Sequence, residues 1–146
     1  ILKPLKEGLN NFKNRKKTSL KILDVATGSG RTLKQLRGAF PKEKIIGIDL
    51  SGSYLKEASR FISDLDGDLI ELIKGNAEEL PFQDNSMQGI SCVYLFHELP
   101  RIVREKVLKG APRSQGIVPC TRQRNVMERG QQRPRQETRH LKLQII

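Results

Sequence analysis

Residues 22–30 decide the fold, and they read Ile22-Leu23-Asp24-Val25-Ala26-Thr27-Gly28-Ser29-Gly30. The stretch begins as a short apolar run, which is typical of a strand that is buried on both faces of a sheet. It ends in a turn that contains two glycines. A helical pattern follows, with Leu33, Leu36 and Phe40 on one side, and Pro41 ends it. We therefore expect a strand, a glycine-rich turn and a helix, in that order.

The same alternation continues along the chain. The other predicted elements are a helix at 2–12, a strand at 45–48, a helix capped by Ser51 or Ser53, a strand at 69–73, a helical turn at 77–80, a strand within 87–96 and a helix at 100–110. Helical spacing assigns Tyr54 and Phe61 to the core, and the alternative is that they are stacking platforms. Strands that alternate with helices build a mainly parallel sheet with helices on both faces, so the predicted fold class is α/β.

The composition limits the class of protein. The chain has 146 residues, which make one domain at most. No apolar run reaches the ~18 residues of a membrane span. Cys92 and Cys120 are too few for a disulfide framework and lack the CxxC spacing of a zinc site, so we expect no metal and a cytoplasmic setting, with an organelle as the alternative. The chain begins with Ile1 rather than Met, and we expect that an upstream segment was removed or never included.

Polar residues collect where the predicted strands end. Asp24 and the glycine turn follow the first strand, Asp49 the second and Asn76 the third. In open α/β sheets, ligands bind beyond the carboxyl ends of the strands. A carboxylate at position 49 is suited to the two hydroxyl groups of a ribose, because it accepts two hydrogen bonds. These residues indicate a cofactor that carries a nucleoside.

Charge and spacing then distinguish between cofactors. A dinucleotide fingerprint has a third glycine where this chain has Leu33. Asp24 would repel the pyrophosphate of NAD, but it would attract the amino and sulfonium groups of S-adenosylmethionine by ~1 kcal/mol or more. The pattern therefore favours S-adenosylmethionine. The alternative is that Asp24 and Asp49 only cap turns or helices.

Four motifs in the right order carry a resemblance to a known family. They are residues 22–30, Gly47-Ile48-Asp49-Leu50-Ser51, Gly75-Asn76-Ala77-Glu78-Glu79-Leu80-Pro81-Phe82, and Val93-Tyr94-Leu95-Phe96-His97-Glu98-Leu99. Over about residues 20–108 the chain resembles the class I S-adenosylmethionine-dependent methyltransferases, in particular the ubiquinone/menaquinone-type small-molecule methylases. The resemblance implies a Rossmann-like fold, S-adenosyl-L-methionine as cofactor and methyl transfer to a small-molecule acceptor.

The resemblance also implies which residues form the site. The implied cofactor-binding residues are Asp24, Ala26, Thr27, Gly28, Gly30, Asp49, Leu50, Asn76, Ala77 and Tyr94. Asp24 would hold the methionine amino group, directly or through water, and Asp49 the ribose hydroxyls. Ala26 replaces the family's first glycine, and Asn76 replaces its usual aspartate, so weaker binding is expected. His97 is the candidate catalytic base, and the alternative is a loop histidine that shapes the pocket.

The resemblance ends near Gly110. Residues 109–146 carry nine Lys and Arg against two Asp and Glu, out of a net charge of +11 for the chain. After Gly110, only Gly116-Ile117-Val118 is similar to the fifth strand of the family. We therefore expect that this chain lacks the C-terminal strands of the family. We divide the chain into an N-terminal helix and basic connector (1–19), an S-adenosylmethionine-binding α/β domain (20–110) and a basic Arg/Gln-rich tail (111–146), for which disorder is one alternative.

The tail leaves several functions open. We hypothesise that it is an aberrant C-terminus from a frame shift or gene fragmentation, in which case the methyltransferase is truncated or inactive. Another alternative is a fragment of an NAD(P)-binding oxidoreductase. A third is non-specific nucleic-acid binding through the basic tail, which would depend steeply on salt.

Overall fold

The computed structural model describes residues 5–10, 19–65, 67–93, 95–111 and 120–121. Among these residues the strands are β1 (Lys21–Val25), β2 (Lys44–Asp49), β3 (Ile70–Lys74), β4 (Gly89–Val93) and β5 (Cys120–Thr121). Residues 5–10 are helical (α1), and the further helices are α2 (Arg31–Ala39), α3 (Gly52–Phe61), α4 (Leu95–Glu98) and α5 (Arg101–Gly110), with a 3₁₀ turn at Gly67–Leu69.

The strands form one parallel sheet in the order β3-β2-β1-β4-β5. The chain builds outward from β1 to β3 and then returns to add β4 on the other side of β1. The strand order therefore reverses between β1 and β4, which is where open α/β sheets bind ligands. The predicted α/β fold is confirmed.

Two apolar clusters cover the two faces of the sheet. Successive side chains of a strand point to opposite faces, and β1 accordingly contributes Ile22 to one cluster and Leu23 to the other. Leucines of α1 and α2 fill the first cluster. The second is completed by the segment before β4 and by α4. Helices thus lie on both faces of the sheet, as predicted.

The start of β4 fixes the position of α1. A Cβ atom on Gly89 would stand 3.1 Å from Leu5 Cδ1 and 3.2 Å from Leu9 Cδ1, so the missing side chain lets α1 approach the strand closely. Gln88 extends the pairing with β1, because its N–H donates to the carbonyl of Lys21 (2.9 Å) and its Oε1 accepts from the N–H of Lys21 (2.9 Å). These contacts hold the end of the domain that lies opposite the carboxyl end of β1.

The structure differs from the sequence-based prediction in two places. The helix α3 ends at Phe61, and Tyr54 and Phe61 are 53% and 43% exposed, so assigning both to the core was wrong. Residues 77–80 form a turn rather than a helical turn. Beyond β4, a strand of two residues, β5, pairs with β4 at Cys92 and Val93.

Parts of the predicted elements lie outside the described residues. These are the ends of the helix predicted at 2–12, the basic connector up to residue 18, and the tail apart from residues 111, 120 and 121. Among the described helices, none has the length and apolar character that crossing a membrane requires.

Candidate cofactor site

A cavity of about 600 Å³ opens at the carboxyl ends of β1, β2 and β4. This volume lies within the range of 300–1,000 Å³ that is common for small-molecule sites. Its walls are the turn after β1, residues 48–51, residues 75–78 and the apolar face of α4 and α5. The predicted cofactor residues Ala26, Thr27, Gly28, Asp49, Leu50, Asn76 and Ala77 all line it.

The turn after β1 has an unusual backbone. Ala26, Gly28 and Gly30 have φ angles of 57°, 54° and 85°, in the left-handed region that favours glycine. A Cβ atom on Gly28 would meet nothing within 4 Å, whereas one on Gly30 would stand 3.1 Å from the Cβ atom of Ala58. Gly28 therefore leaves open space beside its backbone, and Gly30 lets the turn pack tightly against α3.

Asp49 ties this turn to the end of β2. Its Oδ2 accepts a hydrogen bond from the N–H of Gly28 (2.8 Å), and its Oδ1 accepts one from the N–H of Ser51 (2.8 Å). Each carboxylate oxygen has a second lone pair, so the side chain keeps acceptor capacity for a ligand. Ser51 also caps α3, because its Oγ accepts from the N–H of Tyr54 (3.3 Å).

Asp24 lies beneath the cavity rather than in its wall. It is 1% exposed, and it accepts hydrogen bonds from Thr27 Oγ1 (2.7 Å) and from Ser91 Oγ. Burial raises the pKa of Asp24 from 3.8 to about 6; the hydroxyls of Ser91 and Thr27 lower it, and the nearby charge of Asp49 raises it. In this arrangement each carboxylate oxygen of Asp24 accepts a hydrogen bond from a hydroxyl group of the protein.

The wall beside β2 and β3 has an exposed apolar surface next to polar groups. Leu50 is 66% exposed and Tyr54 53%, and both line the cavity. Such an exposed leucine is suited to the face of a flat ring. Asn76 also lines the cavity, but its Oδ1 already accepts from the N–H of Glu78 (3.0 Å), which holds the turn at residues 76–79.

The opposite wall is aliphatic and carries one carboxylate. The residues of this wall are Val93, Leu95, Leu99 and Val103, together with Glu98. His97 is not among the lining residues; its ring is about half exposed, with Nε2 3.7 Å from Glu98 Oε1. Tyr94 lies outside the described residues.

Two residues of the site were missed by the sequence analysis. Ser91 lies within β4, and its polar side chain in an otherwise apolar strand was the available indication. Glu98 lines the cavity with a side chain that is 70% exposed, whereas its neighbour His97 is not a lining residue. A helix of four residues carries too short a pattern for its orientation to be predicted.

The sequence profile of the methyltransferase domain family matches residues 22–114. This chain belongs to that family. The matched part of the chain includes β1 to β4, the glycine turn and Asp49, so the family match extends over the whole described wall of the cavity.

Relatives and solved structures agree with this membership. This chain is 35% identical over 94 residues to demethylmenaquinone methyltransferase of Thermotoga maritima, and the match covers 61% of this chain and 39% of that protein. It is 38% identical over 85 residues to the enzyme of the same name from Symbiobacterium thermophilum, covering 57% and 34%. A SAM-dependent methyltransferase from Aquifex aeolicus superposes with a TM-score of 0.56 at 26% identity, covering 75% and 59%. The match thus spans less than half the length of these curated relatives.

Proposed function

We propose that this methyltransferase domain binds S-adenosyl-L-methionine in the cavity and presents it to a small-molecule acceptor. The observation that carries the proposal is Asp49, a lining carboxylate at the end of β2 that also holds the N–H of Gly28. When bound, the cofactor supplies a methyl group on a sulfonium that is already activated. The protein then contributes proximity and alignment.

The residues of the cavity fit the parts of this cofactor. Asp49 would accept hydrogen bonds from the ribose hydroxyls, and Leu50 would cover one face of the adenine. Asn76 and Ala77 would meet the adenine edge. The backbone at Ala26 to Gly28 would lie beside the methionine part, where Gly28 leaves open space. Asp24 would act on the amino group from beneath the turn, through water or through Thr27.

The aliphatic wall supports an apolar acceptor. This wall offers the acceptor the uncharged side chains of Val93, Leu95, Leu99 and Val103. Its carboxylate is Glu98. The relatives named demethylmenaquinone methyltransferase support a small molecule of this kind. His97, the candidate base predicted from the sequence, stands beside this wall and stays a proposal. The cytoplasmic setting also stays a prediction.

Family membership favours methyl transfer over the oxidoreductase alternative. The nucleic-acid alternative rests on the basic tail, most of which lies outside the described residues. Nucleic-acid binding therefore remains a hypothesis. Two further hypotheses are the division of the chain at residues 19 and 110 and an aberrant origin of the tail. Deleting residues 122–146 and measuring DNA binding at two salt concentrations would test the role of the tail.

Calorimetric titration tests the proposed cofactor. We expect saturable binding of S-adenosylhomocysteine by the full chain and no comparable binding of NADH. Asp49→Ala should weaken that binding about 10- to 100-fold, because hydrogen bonds to a charged group contribute about 1.5–3 kcal/mol. Asp68→Ala, an exposed aspartate outside the cavity wall, is the matched control and should bind as the unmodified chain does. Binding of NADH in preference to S-adenosylhomocysteine would contradict the proposal.

A further inference from the structure

Ser91 lies at the centre of the sheet, next to the carboxylate beneath the cavity. It is 2% exposed and stands directly opposite Asp24 in the parallel pairing of β4 with β1. Its Oγ donates to Asp24 Oδ1, while Thr27 Oγ1 donates to Asp24 Oδ2 at 2.7 Å. Each oxygen of the buried carboxylate is therefore bound by one hydroxyl group.

We infer that Ser91 is a positioning residue of the cofactor site and acts through Asp24 on the turn formed by residues 26–30. The inference rests on the proposed function, since it concerns the binding of the same cofactor. Ser91 does not itself line the cavity. Its effect must therefore pass through the groups that connect it to the cavity wall.

The connection consists of a short series of hydrogen bonds. Asp24 fixes the side chain of Thr27, whose N–H donates to the carbonyl of Ile48 (3.1 Å) and whose carbonyl accepts from the N–H of Gly30 (3.1 Å). The N–H of Gly28 is held by Asp49. The turn is thus anchored from beneath through Asp24 and from the side through Asp49.

The anchor beneath the turn works best while Asp24 is ionised. An ionised carboxylate accepts from both hydroxyl groups, whereas a protonated one must turn its own O–H toward a partner. The groups that face Asp24 are Ser91 from β4, Thr27 from the turn, Gly47 from β2 and the charge of Asp49. Of these only Asp49 is titratable, and it disfavours the ionised form. The two hydroxyl groups are therefore the groups that lower the pKa of Asp24 against the effect of its burial.

Removal of the Ser91 hydroxyl should change the pH dependence of cofactor binding. The pKa of Asp24 is about 6, and the cationic amino group that S-adenosylhomocysteine shares with the cofactor favours the ionised form of Asp24, so affinity should fall as the pH falls through 6. Ser91→Ala removes a donor that lowers this pKa. We expect the midpoint of the affinity loss to move upward by about one pH unit, with affinity preserved near pH ~8.

The experiment is titration of the full chain with S-adenosylhomocysteine between about pH 5.5 and 8. Ser91→Thr keeps a hydroxyl and should restore the midpoint of the unmodified chain. Ser86→Ala removes an exposed hydroxyl that is bound to the carbonyl of Gln83, and it should leave the midpoint unchanged. Thermal unfolding near pH ~8 checks that each variant is folded. If Ser91→Ala does not fold, Ser91→Cys, a weaker donor, should move the midpoint in the same direction.

The outcomes separate the inference from the proposed function. A folded Ser91→Ala variant with an unchanged midpoint would overturn the inference, and so would a uniform loss of affinity at every pH. A chain that binds no S-adenosylhomocysteine in its unmodified form would instead contradict the proposed function. An upward shift in Ser91→Ala that Ser91→Thr reverses supports the role of Ser91.

Discussion

Replacing the buried carboxylate of Asp24 by an amide should stabilise the fold near neutral pH. Burial raises the pKa of Asp24 from 3.8 to about 6, which means that the folded state carries an unfavourable charge above pH 6. At 1.36 kcal/mol for each pH unit, the ionised side chain costs the folded state about 3 kcal/mol. Asn has a similar shape and no charge; its amide oxygen can accept from one of the two hydroxyls, and its NH₂ group can donate to the oxygen of the other. We expect Asp24→Asn to raise the free energy of unfolding by about 1–3 kcal/mol near pH ~7.5.

The sign of this effect depends on pH. Between the unfolded pKa near 3.8 and the folded pKa near 6, the folded state binds the extra proton, so the stability of the unmodified chain rises as the pH falls through this window. Asp24→Asn has no proton to bind, and its advantage should disappear near pH ~4. The same variant should bind S-adenosylhomocysteine more weakly at every pH above 6, because the charge is gone.

Urea unfolding at pH ~7.5 and pH ~4 measures the predicted difference. Asp64→Asn, which alters an exposed carboxylate paired with Lys34, is the matched control and should change the free energy of unfolding by less than about 0.5 kcal/mol at both pH values. A destabilised Asp24→Asn near neutral pH, or an advantage that is the same at both pH values, would refute the reasoning from burial.

Two further substitutions test the backbone of the turn and the far end of the sheet. Ala26→Gly should stabilise the fold by up to about 1 kcal/mol. The φ angle of 57° at Ala26 costs an L-residue about 1–2 kcal/mol, and the greater freedom of glycine in the unfolded chain offsets part of the gain from removing this cost. A lower urea midpoint for Ala26→Gly would contradict this prediction. Arg37→Met should destabilise it by about 2–4 kcal/mol, because the buried guanidinium donates to the carbonyls of Phe40, Glu43 and Leu69. The exposed Lys34→Met is the control for Arg37→Met, and equal effects in a urea titration would contradict the assigned role of Arg37.

The order of the elements could be predicted from the sequence because the strands are continuous apolar runs with turns between them. The cap of α3 is Ser51, which is one of the two capping serines predicted from the sequence. The position of Phe61 does not, since helical spacing alone does not show which side of α3 faces the sheet. Phe61 instead packs with Lys34, whose Nζ lies 5.1 Å from the centre of its ring.

The candidate site was predictable only in part. The glycine turn and Asp49 belong to a local motif, and both line the cavity. The surroundings of Asp24 depend on pairing across the sheet, which places Ser91 on one side and Gly47 on the other. Sequence spacing carries no information about that register, so the burial of Asp24 beneath the cavity could not be read from the motif.

A crystal structure of the full chain with S-adenosylhomocysteine tests the central claim most directly. We expect the ribose hydroxyls within about 2.6–3.2 Å of the Asp49 carboxylate, with the adenine against Leu50 and Asp24 still bound to Ser91. A ligand seated away from the end of β2, with Asp49 contacting only Gly28 and Ser51, would contradict the account.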